Sequence, residues 1–272
     1  MKWQVLKAPL SLFHAPYNTG TMKQELTFFF NALLYYSRIP VPYPVECTEQ
    51  TLSHAFRYLP LVGILIGLIG GITFLLAHMV LPHSLAVALS MVATLLLTGC
   101  FHEDGFADFC DGFGGGHNQE HILAIMKDSH IGVYGAIGLI MLLGIKFTAL
   151  CAIPASALPF VLVASHAISR AYPLLMVRSS TYARQGASKA QHTRQGISAT
   201  TCFIGCCFGL LPLVFMPIQV ILCFLPLSFG LYLFFKRYLH TKIQGFTGDT
   251  LGALQQLTEG IFYLTFTALA VS

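Results

Sequence analysis

The sequence predicts an all-α fold, a polytopic integral membrane bundle of about seven transmembrane helices preceded by one interfacial helix. Of the 272 residues, 55% are hydrophobic and only 10% are charged, whereas soluble domains typically carry about 25% charged residues. Several apolar runs approach the roughly 20 residues that a helix needs to cross the hydrocarbon core. We expect residues 29–272 to form one integral membrane domain and residues 1–28 to be an N-terminal extension.

The interfacial helix is predicted from apolar residues between Leu26 and Tyr36, which recur at helical spacing. This run is too short to span the bilayer. Pro40, Pro42 and Pro44 follow it, and proline does not continue a helix. We therefore expect the segment to lie on the membrane surface.

Long apolar runs place the candidate spans at residues 58–80, 82–101, 131–151, 154–177, 197–216, 218–235 and 252–271. Short connections at Pro82, Pro154 and Pro217 predict tight helical hairpins without Lys or Arg. Because the basic residues between spans fall in the other connections, the positive-inside rule predicts a cytoplasmic N-terminus and an external C-terminus. Every long polar connection then faces the cytoplasm, which favours an enzyme with a cytosolic substrate over a transporter.

The acidic residues are concentrated in one short segment. Six of the eleven lie between Glu103 and Asp128. Within it, Asp104, Asp108 and Asp111 are spaced i, i+4, i+7, which places their carboxylates on one helical face, where like charges repel. A divalent cation that holds a phosphate group explains this pattern best, because Mg²⁺ is usually held by one or two carboxylates and phosphate oxygens. The alternative is a solvated acidic helix edge.

Residues beside these aspartates are candidates for catalysis and substrate binding. His102 and Glu103 directly precede Asp104, and either could accept a proton from an attacking hydroxyl. For His102 a capping or core position is the alternative, and Glu103 lies about 100° from Asp104 on a helix. Gly105 and Gly112 would let a bulky ligand approach the backbone.

A second polar cluster, Lys127-Asp128-Ser129-His130, precedes the third span. Asp128 could complete the metal site, Lys127 could neutralise phosphate charge, and Ser129 could contact substrate. The alternative is a helix N-terminus at the interface, with Asp128 or Ser129 as its cap.

Polar residues inside the predicted spans require partners. Ser169 and Arg170 lie within the fourth span, where the arginine is interpreted as a phosphate clamp or as an ion pair with one of the aspartates. Glu259, an acid inside the last predicted span, is expected to pair within the bundle. Lys146 is left without an assigned role.

Two further polar segments border the last four spans. Gly248, Asp249 and Thr250 open the last helix, where Asp249 is either a cap or a further metal ligand and the neighbouring residues contact substrate. The basic loop from Arg178 to Arg194 is interpreted as a topology anchor on anionic lipid, with nucleotide diphosphate recognition as the alternative.

The run His102-x-Asp104-Gly105-x-Ala107-Asp108-x-x-Asp111-Gly112 resembles the signature of cobalamin synthase, the adenosylcobinamide-GDP ribazoletransferase family. The resemblance extends from about Phe29 onward and includes these segments in order: Ser37–Pro42, Tyr58–Gly63, Ile125–Ser129, Ser169-Arg170 and Gly248–Ala253. Two positions depart from the family pattern, Glu103 where an apolar residue is expected and His130 where an arginine is expected.

The resemblance implies a bacterial or archaeal membrane enzyme, at the inner membrane, that needs Mg²⁺. The ribose hydroxyl of alpha-ribazole, or of its 5′-phosphate, would attack adenosylcobinamide-GDP, and GMP would leave. Asp104, Asp108 and Asp111 would hold the metal, with Asp128 or Asp249 as a further ligand. The other implied site residues are the catalytic candidates His102, Glu103, Lys127 and Arg170, and the substrate-binding candidates Gly105, Gly112, Ser129, Ser169, Gly248 and Thr250.

Other functions fit parts of the sequence. A CDP-alcohol phosphotransferase also uses aspartates on membrane helices, but its pattern requires Ala-Arg soon after Asp-Gly, where this chain has Ala107-Asp108. A prenyltransferase would need a second aspartate-rich motif, and a divalent-cation transporter would need ionisable groups along several spans. Expected partners are the two substrates and membrane lipid but no nucleic acid, and self-association or association with other cobalamin-assembly enzymes is left open.

Overall fold

The computed structural model describes residues 21–42, 45, 47–183 and 196–270, and this part of the chain is all-α, with one isolated bridge between Tyr182 and Phe246. Its helices in chain order are α1 Thr21–Tyr36, α2 Glu49–Ala55, α3 Leu59–His78, α4 His83–Thr98, α5 Phe101–Gly115, α6 Gln119–Ile125, α7 Val133–Ala152, α8 Leu158–Ser169, α9 Ala171–Ser179, α10 Ala199–Leu210, α11 Ile218–Ile243 and α12 Gly248–Ala270.

The predicted class, a polytopic helical membrane protein, is confirmed. Four helical stretches are long and apolar enough to cross a membrane, and a fifth is possible if α4 and α5 count together; the four are Glu49–His78, Val133–Ala152, Leu158–Ser179 and Ile218–Ile243. The expected number, about seven, is larger. The remaining two predicted spans correspond to α10, whose apolar stretch is shorter, and to α12, where Gln255, Gln256 and Glu259 interrupt the apolar sequence.

The N-terminal helix packs on the bundle. It begins at Thr21, five residues before the predicted start at Leu26. Phe28, Leu33 and Tyr36 are buried, and α1 contacts α2 and α3. The inner face of this helix is therefore part of the protein core as well as a candidate membrane-surface element.

A glycine seam joins α3 to α8, which run antiparallel. Gly63, Gly67 and Gly71 recur every four residues, and the absence of side chains lets the two backbones touch. A Cβ added at Gly67 would lie 2.6 Å from Cα of Val163, and one added at Gly71 would lie 3.1 Å from Cβ of Pro159. Close glycine contacts of this kind are a common way to associate helices in lipid, where the hydrophobic effect does not drive association.

The polar connections meet at one end of the bundle, as the sequence predicted. Three hydrogen bonds between distant segments hold this polar end together: Arg38 N to Leu97 O at 2.6 Å, Gln119 Nε2 to Ile243 O at 3.1 Å, and Phe246 N to Thr181 O at 3.0 Å. The opposite end carries the proline hairpins, where the rings of Phe160 and Phe215 are 5.8 Å apart.

A sharp bend turns the aspartate helix away from the direction of α4. Gly99 and Cys100 both have left-handed backbone angles, with φ of 64° and 57°, and α4 and α5 meet at 87°. At Gly99 a Cβ would lie 2.6 Å from Nε of Arg38, so only glycine fits both the angle and the space. Helix α5 therefore changes direction at the polar end rather than continuing α4.

The glycine seam gives a testable prediction. Gly67→Leu should lower the melting temperature of the detergent-solubilised protein, because the new side chain meets the α8 backbone and overpacking typically costs about 1–3 kcal/mol or more. The matched control is Gly144→Leu, since a Cβ at Gly144 has nothing within 4 Å. Equal melting temperatures for the two variants would contradict the seam.

Candidate active site

The three signature aspartates lie on α5 as predicted, but their surroundings differ. Asp104 is exposed, Asp108 is half-buried and Asp111 is buried. The shared helical face therefore runs from the solvent at the start of α5 into the bundle at its end.

Asp111 connects α5 to the start of α7. Its Oδ2 accepts the backbone N–H of Gly132 at 2.7 Å, and its Oδ1 accepts the N–H of Gly135 at 2.8 Å. These are N–H groups that the first turn of a helix leaves without intrahelical partners. A side chain on either glycine would collide with the carboxylate. The structure thus gives Asp111 a structural role at the N-terminus of α7, and its predicted role as a metal ligand stays a prediction.

The start of α12 lies directly against the turn of α5 that separates Asp104 from Asp108. A Cβ at Gly105 would lie 2.9 Å from O and 3.0 Å from Cα of Asp249. One turn further along α12, a Cβ at Gly252 would lie 3.1 Å from the carbonyl oxygen of His102. Gly105 therefore serves close packing of two backbones, and this packing sets the backbone of Asp249 against the α5 turn between Asp104 and Asp108.

Thr247, rather than Asp249, caps α12. The Thr250 N–H donates to Oγ1 of Thr247 at 3.3 Å, and the Thr247 N–H donates to Oγ1 of Thr250 at 2.9 Å. Thr250 is buried and its hydroxyl is used in this cap, and its predicted substrate contact stays a prediction. The hydroxyl of Thr247 also donates to Oδ2 of Asp249 at 3.4 Å. Gly248 is the first residue of the helix.

The second predicted cluster lies at the surface after α6. Lys127, Asp128 and Ser129 are exposed, and the ring Nδ1 of His130 lies 2.7 Å from Oδ1 of Asp128. Hydrogen bonds from the ring and the backbone of His130 hold the pKa of the Asp128 carboxyl below its ordinary value. Asp128 is thus paired locally.

Gly112 lies at the contact between α5 and α6. A Cβ there would lie 3.2 Å from the carbonyl oxygen of Ile122 and would collide with Met126. Gly112 therefore allows α5 and α6 to pack closely, and its predicted contact with a ligand stays a prediction.

Several candidate residues belong instead to a buried polar cluster among α5, α7, α8 and α12. Glu259 accepts hydrogen bonds from Lys146 at 2.9 Å, Gln255 at 2.6 Å and Tyr263 at 3.2 Å. Nδ1 of His166 lies 3.3 Å from Oε2 of Glu259. The prediction that Glu259 pairs within the bundle is confirmed.

Arg170 and Ser169 are fully buried in the same cluster. The guanidinium of Arg170 donates to the carbonyl oxygen of His166 at 2.8 Å and lies 3.1 Å from the ring nitrogen of His166. Oγ of Ser169 accepts from Gln255 at 2.9 Å. Arg170 makes no ion pair with an aspartate within the described residues, because its hydrogen bonds go to its own helix. Its predicted role as a phosphate clamp stays a prediction.

His102 and Glu103 also point into the bundle. Glu103 accepts from Nε2 of Gln256 at 2.7 Å, and His102 is 4% exposed. Nε2 of His102 and Oε2 of Glu103 are buried without a hydrogen-bond partner in the part of the chain that the structure describes. The core position that the sequence left open for His102 is thus the one observed. Sequence reasoning missed His166, Gln255 and Gln256, although polar residues inside apolar helices were the available signal.

The fit of the predicted ligands to Mg²⁺ depends on whether their side chains lie together. Within residues 21–42, 45, 47–183 and 196–270, no three His, Cys, Asp or Glu side chains are grouped as a metal-binding set. The five predicted ligands therefore do not form one site: Asp111 and Asp128 have the other contacts described above. The backbone of Asp249 lies against Gly105, between Asp104 and Asp108 in the sequence. Carboxylate oxygens together with phosphate oxygens match the preference of Mg²⁺, and the roles of these three aspartates as metal ligands stay predictions.

Comparisons with known proteins agree with the resemblance in the sequence. The family model described as cobalamin-5-phosphate synthase matches residues 28–267. A Shewanella amazonensis protein named adenosylcobinamide-GDP ribazoletransferase is 40% identical over 250 residues, which cover 90% of this chain and 96% of that protein. A Vibrio parahaemolyticus protein of the same name is 37% identical, over 92% of this chain and 95% of that protein. No solved structure matches.

These matches span nearly the whole described chain and decide against the phosphotransferase and transporter alternatives. The chain belongs to the cobalamin-5-phosphate synthase family.

Proposed function

We propose that this protein is an Mg²⁺-dependent transferase that joins adenosylcobinamide-GDP to alpha-ribazole, or to its 5′-phosphate, and releases GMP. The family match supports the substrates, since relatives of similar length carry the ribazoletransferase name. The geometric observation that carries the proposal is the contact of Gly105 with Asp249. This contact places the start of α12, which carries Asp249, against the turn of α5 between Asp104 and Asp108, at the polar end of the bundle.

The proposed active site faces the cytoplasm of a bacterial or archaeal cell, at the inner membrane. The basic connections fall on the same side as the aspartates in the predicted topology, and positive charge favours the cytoplasmic side. Association with a second copy or with other cobalamin-assembly enzymes stays a prediction.

In the proposed reaction, the ribose hydroxyl of the acceptor attacks the phosphorus nearer the cobinamide, a new P–O bond forms and the P–O bond to GMP breaks. Asp108 and Asp249 would hold Mg²⁺, which supplies polarisation of the phosphoryl oxygens and offsets charge on the leaving GMP. Asp104 is the exposed carboxylate of this group, and we assign to its side-chain oxygen the proton of the attacking hydroxyl. Lys127 is exposed after α6. Of the two cationic candidates, Lys127 and Arg170, it is the nearer in sequence to the aspartates of α5, and we assign to it the role of offsetting phosphate charge.

The activity can be tested directly with purified protein in lipid. Adenosylcobinamide-GDP, alpha-ribazole and Mg²⁺ should yield GMP, measured by chromatography, and a chelator should abolish the release until excess Mg²⁺ is added. Absence of GMP would reject the transferase proposal. Release that persists in the chelator would reject the metal requirement alone.

Asp108 and Asp128 offer a matched pair of acidic substitutions. We expect Asp108→Asn to lower kcat by about 100-fold or more, with little change in melting temperature. The reason is that the variant loses a carboxylate proposed to hold the Mg²⁺ that stabilises charge in the transition state. Asp128→Asn, at an exposed and locally paired carboxylate, should keep kcat within a few-fold of the parent. An active Asp108→Asn variant would remove Asp108 from the site.

Asp111 should behave differently from Asp108. Asp111→Ala removes the acceptor of two helix N–H groups, and loss of such a cap costs about 0.5–2 kcal/mol, so the melting temperature should fall. Thermal unfolding followed in detergent checks this expectation. If the variant melts like the parent and has lost all turnover, the predicted role of Asp111 as a metal ligand is the better explanation.

A further inference from the structure

A second polar feature of this end of the bundle has no role in the proposed chemistry. The C-terminal ends of α9 and α11 line an open cavity of about 340 Å³, within the size range of small-molecule pockets. Ser179, Ser180 and Thr181 line one side, and Lys236 and His240 line the other. We call this space the α9–α11 cavity.

The α9–α11 cavity is electropositive. No acidic residue of the part of the chain that the structure describes lines it, and Lys236 and His240 are one helical turn apart on α11. Lys236 is half-buried, and no hydrogen bond or ion pair is recorded for it within the described residues. The charge around the cavity therefore favours an anion.

Hydroxyl groups complement the positive charge. The hydroxyl of Ser180 donates only to the sulfur of Met176, at 3.4 Å, and a thioether is a weak acceptor. This hydroxyl is thus available to a stronger acceptor. Thr181 donates to the carbonyl oxygen of Gln244 at 3.2 Å, which holds its backbone at the cavity wall. An ammonium group beside rotatable hydroxyls suits a phosphate group, whose oxygens accept charge-assisted hydrogen bonds.

The cavity is close to the proposed active site along the chain. Gly245 lines the cavity, and Asp249 follows four residues later. Four residues span at most about 14 Å. Phe246 fixes the segment between them, because its N–H donates to O of Thr181 at 3.0 Å and its carbonyl oxygen accepts from Ala183 at 2.8 Å. A substrate of nucleotide size can therefore reach from the aspartates toward the cavity.

We propose that the α9–α11 cavity binds the 5′-phosphate of the acceptor, a phosphate group that does not react. This inference rests on the proposed function. The reacting diphosphate of the donor must lie at the aspartates. The cavity therefore binds a phosphate that lies some distance from the reacting phosphorus. The ribose ring separates the acceptor's 5′-phosphate from its attacking hydroxyl, so this phosphate can lie in the cavity while the hydroxyl is at the reacting phosphorus. The same phosphate chemistry is offered by the donor and by anionic lipid headgroups, and the experiment separates these sources.

The test compares Lys236→Met with Arg237→Met, which removes the same charge from the neighbouring, exposed position outside the cavity. KM is measured for alpha-ribazole, for alpha-ribazole 5′-phosphate and for the donor, in phosphatidylcholine vesicles. Lys236→Met should raise KM for the phosphorylated acceptor about tenfold, since it removes a charge-assisted hydrogen bond. Its KM for alpha-ribazole and for the donor, and its kcat, should stay within twofold of the parent. Arg237→Met should leave all three KM values unchanged.

Other outcomes overturn the proposal. Equal changes for both acceptors, or no change, remove the cavity from phosphate recognition. A selective rise in the donor KM assigns it to the donor, and an effect seen only in vesicles that contain phosphatidylglycerol assigns it to lipid. If Lys236→Met does not fold, Ser180→Ala is measured in the same way, with a smaller selective rise expected.

Calorimetric titration of alpha-ribazole 5′-phosphate without donor distinguishes failure of this inference from failure of the proposed function. Binding that weakens about tenfold in Lys236→Met supports the cavity even if no GMP forms. Binding that is equal in parent and variant rejects the cavity even if GMP forms.

Discussion

The ion pair between Lys146 and Glu259 is the interaction on which the arrangement of the bundle depends. Both side chains are almost fully buried, at 4% and 5% exposure, and the charged atoms are 2.9 Å apart. A charge at such depth is tolerated when it is paired and hydrogen-bonded, and removing one partner of a buried pair is strongly destabilising. Because Glu259 also contacts His166 of α8, this pair fixes α7, α8 and α12 relative to one another.

The position of α5 follows from that frame. Glu103 bonds to Gln256 of α12, Gly105 packs on the backbone of Asp249, and Asp111 bonds to the first turn of α7. These contacts use the sides of α5 that face the protein. Asp104 and Asp108 lie on the less buried part of α5, with Asp104 exposed and Asp108 half-buried.

The sequence predicted the fold class and the aspartate helix because these depend on local patterns: apolar runs of membrane length, and carboxylates at helical spacing. It placed the proline hairpins and the polar end correctly for the same reason. The roles of Arg170 and Asp111 depend on groups that no local pattern reveals. Arg170 is buried by the packing of α3 on α8, and Asp111 meets Gly132 and Gly135 only because α7 folds back on α5. Long-range packing therefore decided which of the charged candidates became structural.

Under the proposed function, charge of both signs at one end of the bundle would let a single membrane face bind two phosphate-bearing substrates. Carboxylates repel a diphosphate unless a cation lies between them, whereas an ammonium group attracts a phosphate directly. The segment from Gly245 to Asp249 joins a cationic cavity to an anionic helix start. Under the proposed function, a metal-bound diphosphate is favoured at one end of this segment and a metal-free phosphate at the other. The two substrates are then distinguished by the charge that each end requires, before any contact with the corrinoid or the base is considered.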